Sequence, residues 1–301
     1  MRILVTDGMD KGAQAKLSAM GHEVINQFFE PAELGTALRD FHVVIIRSKT
    51  KIRKRQIDEA KGSSLQLIIR AGVGVDNIDV AYAEECGIAV KNTPRASSQS
   101  VAELAMAHMF SCARFISAAG FTMRSGKWEK KAYSNGIELS GKTLGIVGFG
   151  RIGQKLCAMA KGIGMNVIAS DIYHVPGIEG KLGMQYVEND ELMARADFIS
   201  LHAPAVDGKP LICEENIAKM KDGVVIINTS RGSNVDESAL LAALNSGKVM
   251  AAGLDVFTEE PSVNEALYAH PAVSATPHIG AGTNEAQTRI GEELVDIIAN
   301  L

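Results

Sequence analysis

Short, almost wholly apolar runs recur along the chain and alternate with segments of helical length. "RILVTD", "HVVIIR", "LQLIIR" and "IAVKNT" fall in the first third; "TLGIVG", "MNVIASD", "DFISLHA", "GVVIINTS" and "AAGLDVF" come later. A strand with one wet face would alternate apolar and polar residues, so continuous runs predict parallel strands covered on both faces. The segments between them, such as "DVAYAEECG", supply the covering helices, and the pattern reads as α/β. Between the two strand groups, "SQSVAELAMAHMFSCARFISAAG" predicts one long buried helix, with Ser100 and Glu103 forming a capping box at its head. The closing "NEAQTRIGEELVDIIANL" predicts one amphipathic helix.

Composition narrows the function classes. With 301 residues, 46% apolar and 22% charged, the chain has material for two domains with separate cores. A formal charge of -4 offers no general attraction for nucleic acid or anionic membrane, so neither is expected as a partner. The opening "MRILVTDG" reads as a first strand and turn, without the basic and apolar regions of a signal peptide. No apolar run approaches the ~20 residues that span a bilayer. Cys86, Cys112, Cys157 and Cys213 are far apart, with no CxxC spacing and no grouping with histidines. Buried thiols in a reducing cytoplasm are therefore expected, and no metal site.

Two glycine loops compete for a dinucleotide. The fingerprint needs one glycine for the tight turn, one for backbone approach to the pyrophosphate and one for helix packing, with an acid about 20 residues on for the adenosine ribose. In "GIVGFGRIG", Gly148, Gly150 and Gly153 meet the spacing, and the next strand ends in Asp171. A carboxylate there accepts ribose hydroxyls and repels a 2′-phosphate, which selects NAD over NADP. "RAGVGVDNID" fails, because Asn77 stands at the third glycine and its next strand ends in Lys91 and Asn92. Its glycines still let backbone amides converge on a small anion, so Ala71, Gly72, Val73 and Gly74 form a candidate carboxylate seat.

With the fingerprint in mid-chain and "NTSRG", "LDVFTEEP" and "PHIGAGT" following in that order, the sequence resembles the D-isomer-specific 2-hydroxyacid dehydrogenases over essentially its whole length. Within that family it looks most like the branch that oxidises 3-phosphoglycerate. The resemblance implies two doubly wound parallel-sheet domains. An NAD-binding Rossmann domain, residues 98–280, is inserted into a flavodoxin-like substrate domain made of residues 1–97 and 281–301.

Removing a hydride from a secondary alcohol leaves a hydroxyl proton that a base must take up. Of seven histidines, the resemblance places His278 at the general acid/base and Glu260, directly before Pro261, at its partner carboxylate. Arg231 can hold carboxylate and carbonyl oxygens with its planar fork. The resemblance adds Arg151, Ile152, Thr229, Ser230, Asp255 and Gly280 as cofactor-lining positions. It also adds His202, Ala203 and Pro204, where the family mostly uses backbone; His202 is the second candidate base.

The substrate clue is the basic run "RSKTKIRKR". Extended alternation would put Arg47, Lys49 and Lys51 on one face, near Arg70 if the two strands are neighbours. The resemblance implies phosphate recognition by Arg47 and Arg70, with Lys51 as a further candidate. It implies NAD-dependent oxidation of 3-phosphoglycerate. A glyoxylate/hydroxypyruvate reductase without a phosphate site and an NAD(H)-sensing corepressor-like protein are the alternatives. Two departures and one further likeness matter. No regulatory domain is expected beyond the last helix, nor serine feedback through one. "APAVDGKPLI" replaces a proline-threonine-rich segment common in relatives. "RSGKWEKKAYSNGIELSGKTLG" resembles the family's dimerisation arm, from which a homodimer is expected.

Overall fold

The computed structural model describes residues 1–205 and 208–301. Its strands are β1 (Arg2–Val5), β2 (Glu23–Asn26), β3 (Val43–Ile46), β4 (Leu67–Arg70), β5 (Ala89–Asn92), β6 (Thr143–Val147), β7 (Asn166–Ser170), β8 (Gln185–Tyr186), β9 (Phe198–Leu201), β10 (Val224–Asn228), β11 (Val249–Leu254) and β12 (Val273–Ala275). The chain divides into two compact units, one formed by Met1–Ser98 with Ala281–Leu301 and the other by Gln99–Gly280.

The first unit holds a five-stranded sheet in the order β2-β1-β3-β4-β5, with every pairing parallel. All four residues of β3 are buried, as its unbroken "VVII" requires. One face is covered by Leu34, Leu38, Ile57 and Ala83. The other is covered by Leu17 and by Ile290, Leu294 and Ile298 from the Asn284–Ala299 helix, whose apolar residues recur every four positions. Thr283 caps that helix through Ala286 N at 3.1 Å. The order reverses between β1 and β3, the crevice at which doubly wound sheets take ligands.

The second unit is a seven-stranded parallel sheet in the order β12-β11-β10-β9-β6-β7-β8. Its switch point lies between β6 and β9. The expected pair of doubly wound sheets is thus present. The edge strands β2 and β8 escaped the hydrophobic pattern because they are short and carry polar residues.

The predicted long central helix differs in two ways. It starts at Ser98, so Ser100 lies inside its first turn instead of capping it, and Glu103 accepts from Gln99 Nε2 at 2.8 Å. It also breaks at Phe115, which adopts φ +55°, and the Ile116–Arg124 helix leaves at 69°. Ala102, Ala105, Met109 and Ala113 of the first segment are fully buried, whereas the second buries none of its residues. Among the described residues no single helix is long and apolar enough to cross a membrane; these two pass only as a bent pair. Cys112, Cys157 and Cys213 are buried free thiols, and burial pushes Cys112 up to about 12; Cys86 is partly exposed.

Candidate active site

In the second unit the three fingerprint glycines do three different things. Gly148, at φ +89°, brings the loop against the backbone after β9: a Cβ on it would lie 2.5 Å from Ala203 N. Gly153 packs its helix on the loop, where a Cβ would meet Gly148 O at 2.6 Å. Gly150 faces open space, with nothing within 4 Å of an added Cβ. It caps the Arg151–Gly162 helix, whose unpaired amides suit a pyrophosphate. Asp171 follows β7 and accepts from Phe149 N and from Tyr173 N at 2.9 Å, so its carboxylate is held at the loop. Ile172 beside it is fully exposed, an uncovered apolar face for an aromatic base. Thr229 Oγ1 is buried with no hydrogen-bond partner among the described residues. A cradle open at Gly150, an oriented acid and an orphaned hydroxyl fit a dinucleotide.

Behind the cradle, His202 is held by backbone and side chain: its N donates to Val147 O at 2.7 Å and Nε2 meets Ser200 Oγ at 2.8 Å. Burial pushes its imidazole down to about 4, which makes it a poor base at neutral pH. Of the unusual segment after it, Val206 and Asp207 lie outside the described residues.

His278, Glu260 and Arg231 come together in this unit. His278 Nδ1 lies 2.7 Å from Glu260 Oε2, and 38% of the histidine side chain remains exposed. His278 adopts φ +52°, rare for a side-chain-bearing residue. Glu260 Oε1 accepts from Phe257 N at 3.2 Å. Burial alone would raise the Glu260 carboxyl, but the His278 hydrogen bond and charge, the Phe257 amide and the Arg231 charge together hold it below its ordinary range. It therefore stays ionised beside the imidazole. Gly232 allows the approach of Arg231 to this group: a Cβ there would lie 1.9 Å from Phe257 C and O, so only a glycine lets the two backbones touch.

Polar contacts from Asn228, Asn234 and Asp255 support these groups, and the sequence motifs assigned no role to the two asparagines. Asn228 Oδ1 accepts from Ser230 N and Oγ, and its Nδ2 donates to Arg231 O at 2.8 Å. Asn234 Nδ2 donates to Ala203 O, Pro204 O and Ser230 Oγ, each at 3.1 Å, tying the segment after β9 to the one that carries Arg231. Asp255 is almost fully buried, and its carboxylate accepts from Thr276 Oγ1, Ile279 N and Gly280 N. Its oxygens therefore shape the turn around His278, and Gly280 meets that carboxylate through its amide.

In the first unit, β3 and β4 are neighbours, with Ile46 opposite Arg70. The basic segment does not run extended, because it bends at Ser48 and Lys49, and strict alternation fails. Arg47, Ser48 and Lys49 line an open pocket of about 430 Å³ with Thr6, Asp7 and Phe28, at the reversal between β1 and β3. Lys49 Nζ sits 3.9 Å from the centre of the Phe28 ring. Exposed Lys51 is not among the lining residues. Asp7 accepts from Arg47 N at 2.7 Å and from Thr50, while Asn77 Nδ2 donates to Arg47 O and Thr50 O, each at 2.7 Å. The residue that spoils the second fingerprint thus clamps the basic segment. Arg70 folds over Gly72 and donates to Ala71 O at 2.9 Å; a Cβ on Gly72 would strike its guanidinium. Val73 is exposed and Gly74 partly so.

The family model for the NAD binding domain of D-isomer specific 2-hydroxyacid dehydrogenases matches residues 106–280. The chain belongs to this family. The dehydrogenase is 48% identical to hydroxypyruvate reductase of Thermotoga maritima over 99% of this chain and 97% of that protein. It is 44% identical to D-3-phosphoglycerate dehydrogenase of Methanocaldococcus jannaschii over 97% of this chain, but spans only 55% of that relative's length. A glyoxylate reductase from Paecilomyes thermophila superposes with a TM-score of 0.89 at 32% identity, covering 99% of this chain and 94% of that one. The dehydrogenase is an NAD-binding oxidoreductase of two parallel-sheet domains, as the motifs implied.

Proposed function

We propose that the dehydrogenase oxidises 3-phosphoglycerate to 3-phosphohydroxypyruvate, the first step of serine biosynthesis, with His278 as acid/base, Glu260 as its partner and Arg231 as the substrate clamp. NAD, when bound, accepts the hydride from the alcohol carbon. With Glu260 ionised, Nδ1 of His278 carries the proton of their hydrogen bond, and Nε2 is left with a lone pair to take the hydroxyl proton. The resulting imidazolium is stabilised by the same carboxylate, and in reduction it returns the proton. Arg231 presents its fork to carboxylate or carbonyl oxygen and polarises the carbonyl. Gly148, Gly150 and Gly153 admit the pyrophosphate, Asp171 takes the ribose, and Thr229 and the backbone of residues 202–204 line the rest of the cofactor.

The observation that carries the substrate assignment is Arg47 with Lys49 in the open pocket at the β1/β3 reversal, a cationic site that a phosphate fits. Arg70, expected beside Arg47 at the phosphate, does not line that pocket; of the loop amides proposed as a carboxylate seat, Ala71 N and Gly72 N donate to Ile46 O and Arg70 O, each at 2.8 Å, which leaves Val73 and Gly74 for that role. The similarity to hydroxypyruvate reductase over nearly its full length favours a second reading, reduction of the unphosphorylated 2-oxo acid. Comparing kcat/KM for 3-phosphohydroxypyruvate and hydroxypyruvate decides between them. A preference for the phosphorylated acid below about tenfold, worth about 1.4 kcal/mol, refutes the phosphate assignment.

A cytoplasmic homodimer completes the proposal. Ile116, Phe121 and Met123 on the Ile116–Arg124 helix, with Phe110 and Trp128 nearby in sequence, are exposed, which supports a second copy as their cover. Light scattering on Phe121→Glu checks it: the variant should be monomeric, and an unchanged mass would refute this surface.

A further inference from the structure

The Ser98–Arg114 helix carries a buried histidine that the proposed chemistry does not use. His108 is 2% exposed. It lies against the β11–β12 pair: a Cβ on Gly253 would come within 2.5 Å of His108 Cβ, and Gly253 pairs in register with Ser274. Its ring is bonded at both nitrogens, Nδ1 to Ser274 Oγ and Nε2 to Thr276 Oγ1, each at 3.0 Å. Thr276 Oγ1 donates in turn to Asp255 Oδ1 at 2.7 Å. The same carboxylate accepts from Ile279 N and Gly280 N, each at 2.8 Å, and the Asp255 carbonyl accepts from His278 N at 2.8 Å.

These contacts fix the protons. A carboxylate only accepts, so the single Thr276 hydroxyl proton points to Asp255. Thr276 Oγ1 can then only accept from His108, which places that ring's proton on Nε2 and makes Nδ1 the acceptor of the Ser274 hydroxyl. Burial lowers the His108 pKa and outweighs the opposing charge of Asp255, in keeping with a neutral ring. The line Ser274–His108–Thr276–Asp255 is fully satisfied, and it ends on the amides around the one residue of the triplet in the left-handed region, His278 at φ +52°.

We infer that His108 is a positioning residue for His278: through Thr276 it orients the Asp255 carboxylate, which in turn holds the His278–Gly280 backbone in the conformation that points the imidazole at Glu260. The inference rests on the reading of His278 as the acid/base. A satisfied buried network specifies one geometry, whereas a severed one leaves buried groups unpaired and lets the turn relax. A displacement of about 1 Å at a reacting group can cost up to about a hundredfold in rate.

The test uses the full chain with NADH and either hydroxypyruvate or 3-phosphohydroxypyruvate. His108→Met keeps the bulk and loses both bonds; His108→Gln keeps a donor for Thr276 and an acceptor for Ser274; Thr276→Val cuts the line one step on. We expect His108→Met and Thr276→Val each to lower kcat about tenfold with the NADH Kd within about threefold. The double variant should be no worse than either single one, and His108→Gln should recover to within about twofold. Wild-type kcat in His108→Met, equal impairment of His108→Gln, or losses that multiply in the double variant overturn the inference. If His108→Met does not fold, Thr276→Val alone decides, since it changes one hydroxyl to a methyl. His278→Ala separates the two readings. Full activity in that variant removes the acid/base assignment itself, whereas an inactive His278→Ala beside a fully active Thr276→Val removes only the role of His108.

Discussion

Replacing Gly150 by alanine should separate cofactor binding from folding. Its φ of -74° lies outside the left-handed region that favours glycine, and an added methyl meets no protein atom within 4 Å. The cost to the unliganded protein is that of a poorer helix cap, about 1 kcal/mol or less, or at most about 2–4 °C in Tm for a unit of this size. The same methyl points into the space assigned to the pyrophosphate. Loss of close backbone approach and of one amide contact should weaken NADH at least about tenfold, or about 1.4 kcal/mol. Gly153→Ala is the opposite control, because its methyl would sit 2.6 Å from Gly148 O inside the fold. Overpacking of that kind costs about 1–3 kcal/mol and should appear as a drop in Tm without ligand. Fluorescence titration with NADH, paired with thermal melts of the apo proteins, reads both quantities. NADH binding by Gly150→Ala within about twofold of wild type would refute the placement of the pyrophosphate.

His278→Ala should lower kcat at least about a hundredfold in steady-state assays while NADH affinity stays nearly unchanged; a small kcat effect would point to another base. Asp171→Ala should weaken NADH and erode discrimination against NADPH, and an unaltered ratio of the two affinities would remove its ribose role. Burial holds His202 at about 4, below its ordinary value near 6.5. Between those two values the unfolded chain binds the proton and the folded chain does not, so stability falls as pH drops through that window. The expected loss from His202 between pH 7 and pH 5 is up to about 2 kcal/mol, with His108 acting in the same direction. Urea midpoints at the two pH values measure it. His202→Gln should flatten the dependence, and an equally steep loss in that variant would show that His202 is not its source.

Much of this was readable in the chain because its signals are local. Strands such as "VVII" announce burial on both faces, and Gly148, Gly150, Gly153 and Asp171 lie within one βαβ unit. The His278–Glu260 pairing spans 18 residues and follows from ordered motifs. What stayed hidden depends on distant partners. His108 meets Ser274 across 166 positions, Asn234 meets Ala203 across 31, and Asn77 meets Arg47 across 30. Each looks like an ordinary polar residue until the sheets are assembled. The bend at Ser48 and Lys49 was likewise invisible, because it is drawn in by Asp7, whose carboxylate holds both Arg47 N and Thr50. The break at Phe115 has no glycine or proline to mark it, and its neighbours continue a helical pattern on either side.

The unit that carries the basic pocket is closed by the Asn284–Ala299 helix, whose Ile290, Leu294 and Ile298 share a core with Ile3 and Val5. During synthesis that cover emerges after every other described element of the two units. At about 5–20 residues per second, roughly 10–40 s separate completion of β5 from arrival of the helix. The second unit is continuous in sequence and can fold in that interval, while the face of the first sheet that carries Ile3, Val5, Ile45 and Ile69 waits with Leu17 in place but without Ile290, Leu294 and Ile298. The order of assembly is thus written into the chain: the continuous NAD-binding unit can fold first, and the first unit only when its Asn284–Ala299 helix reaches the sheet. In a cell, that waiting face is the surface a chaperone would find.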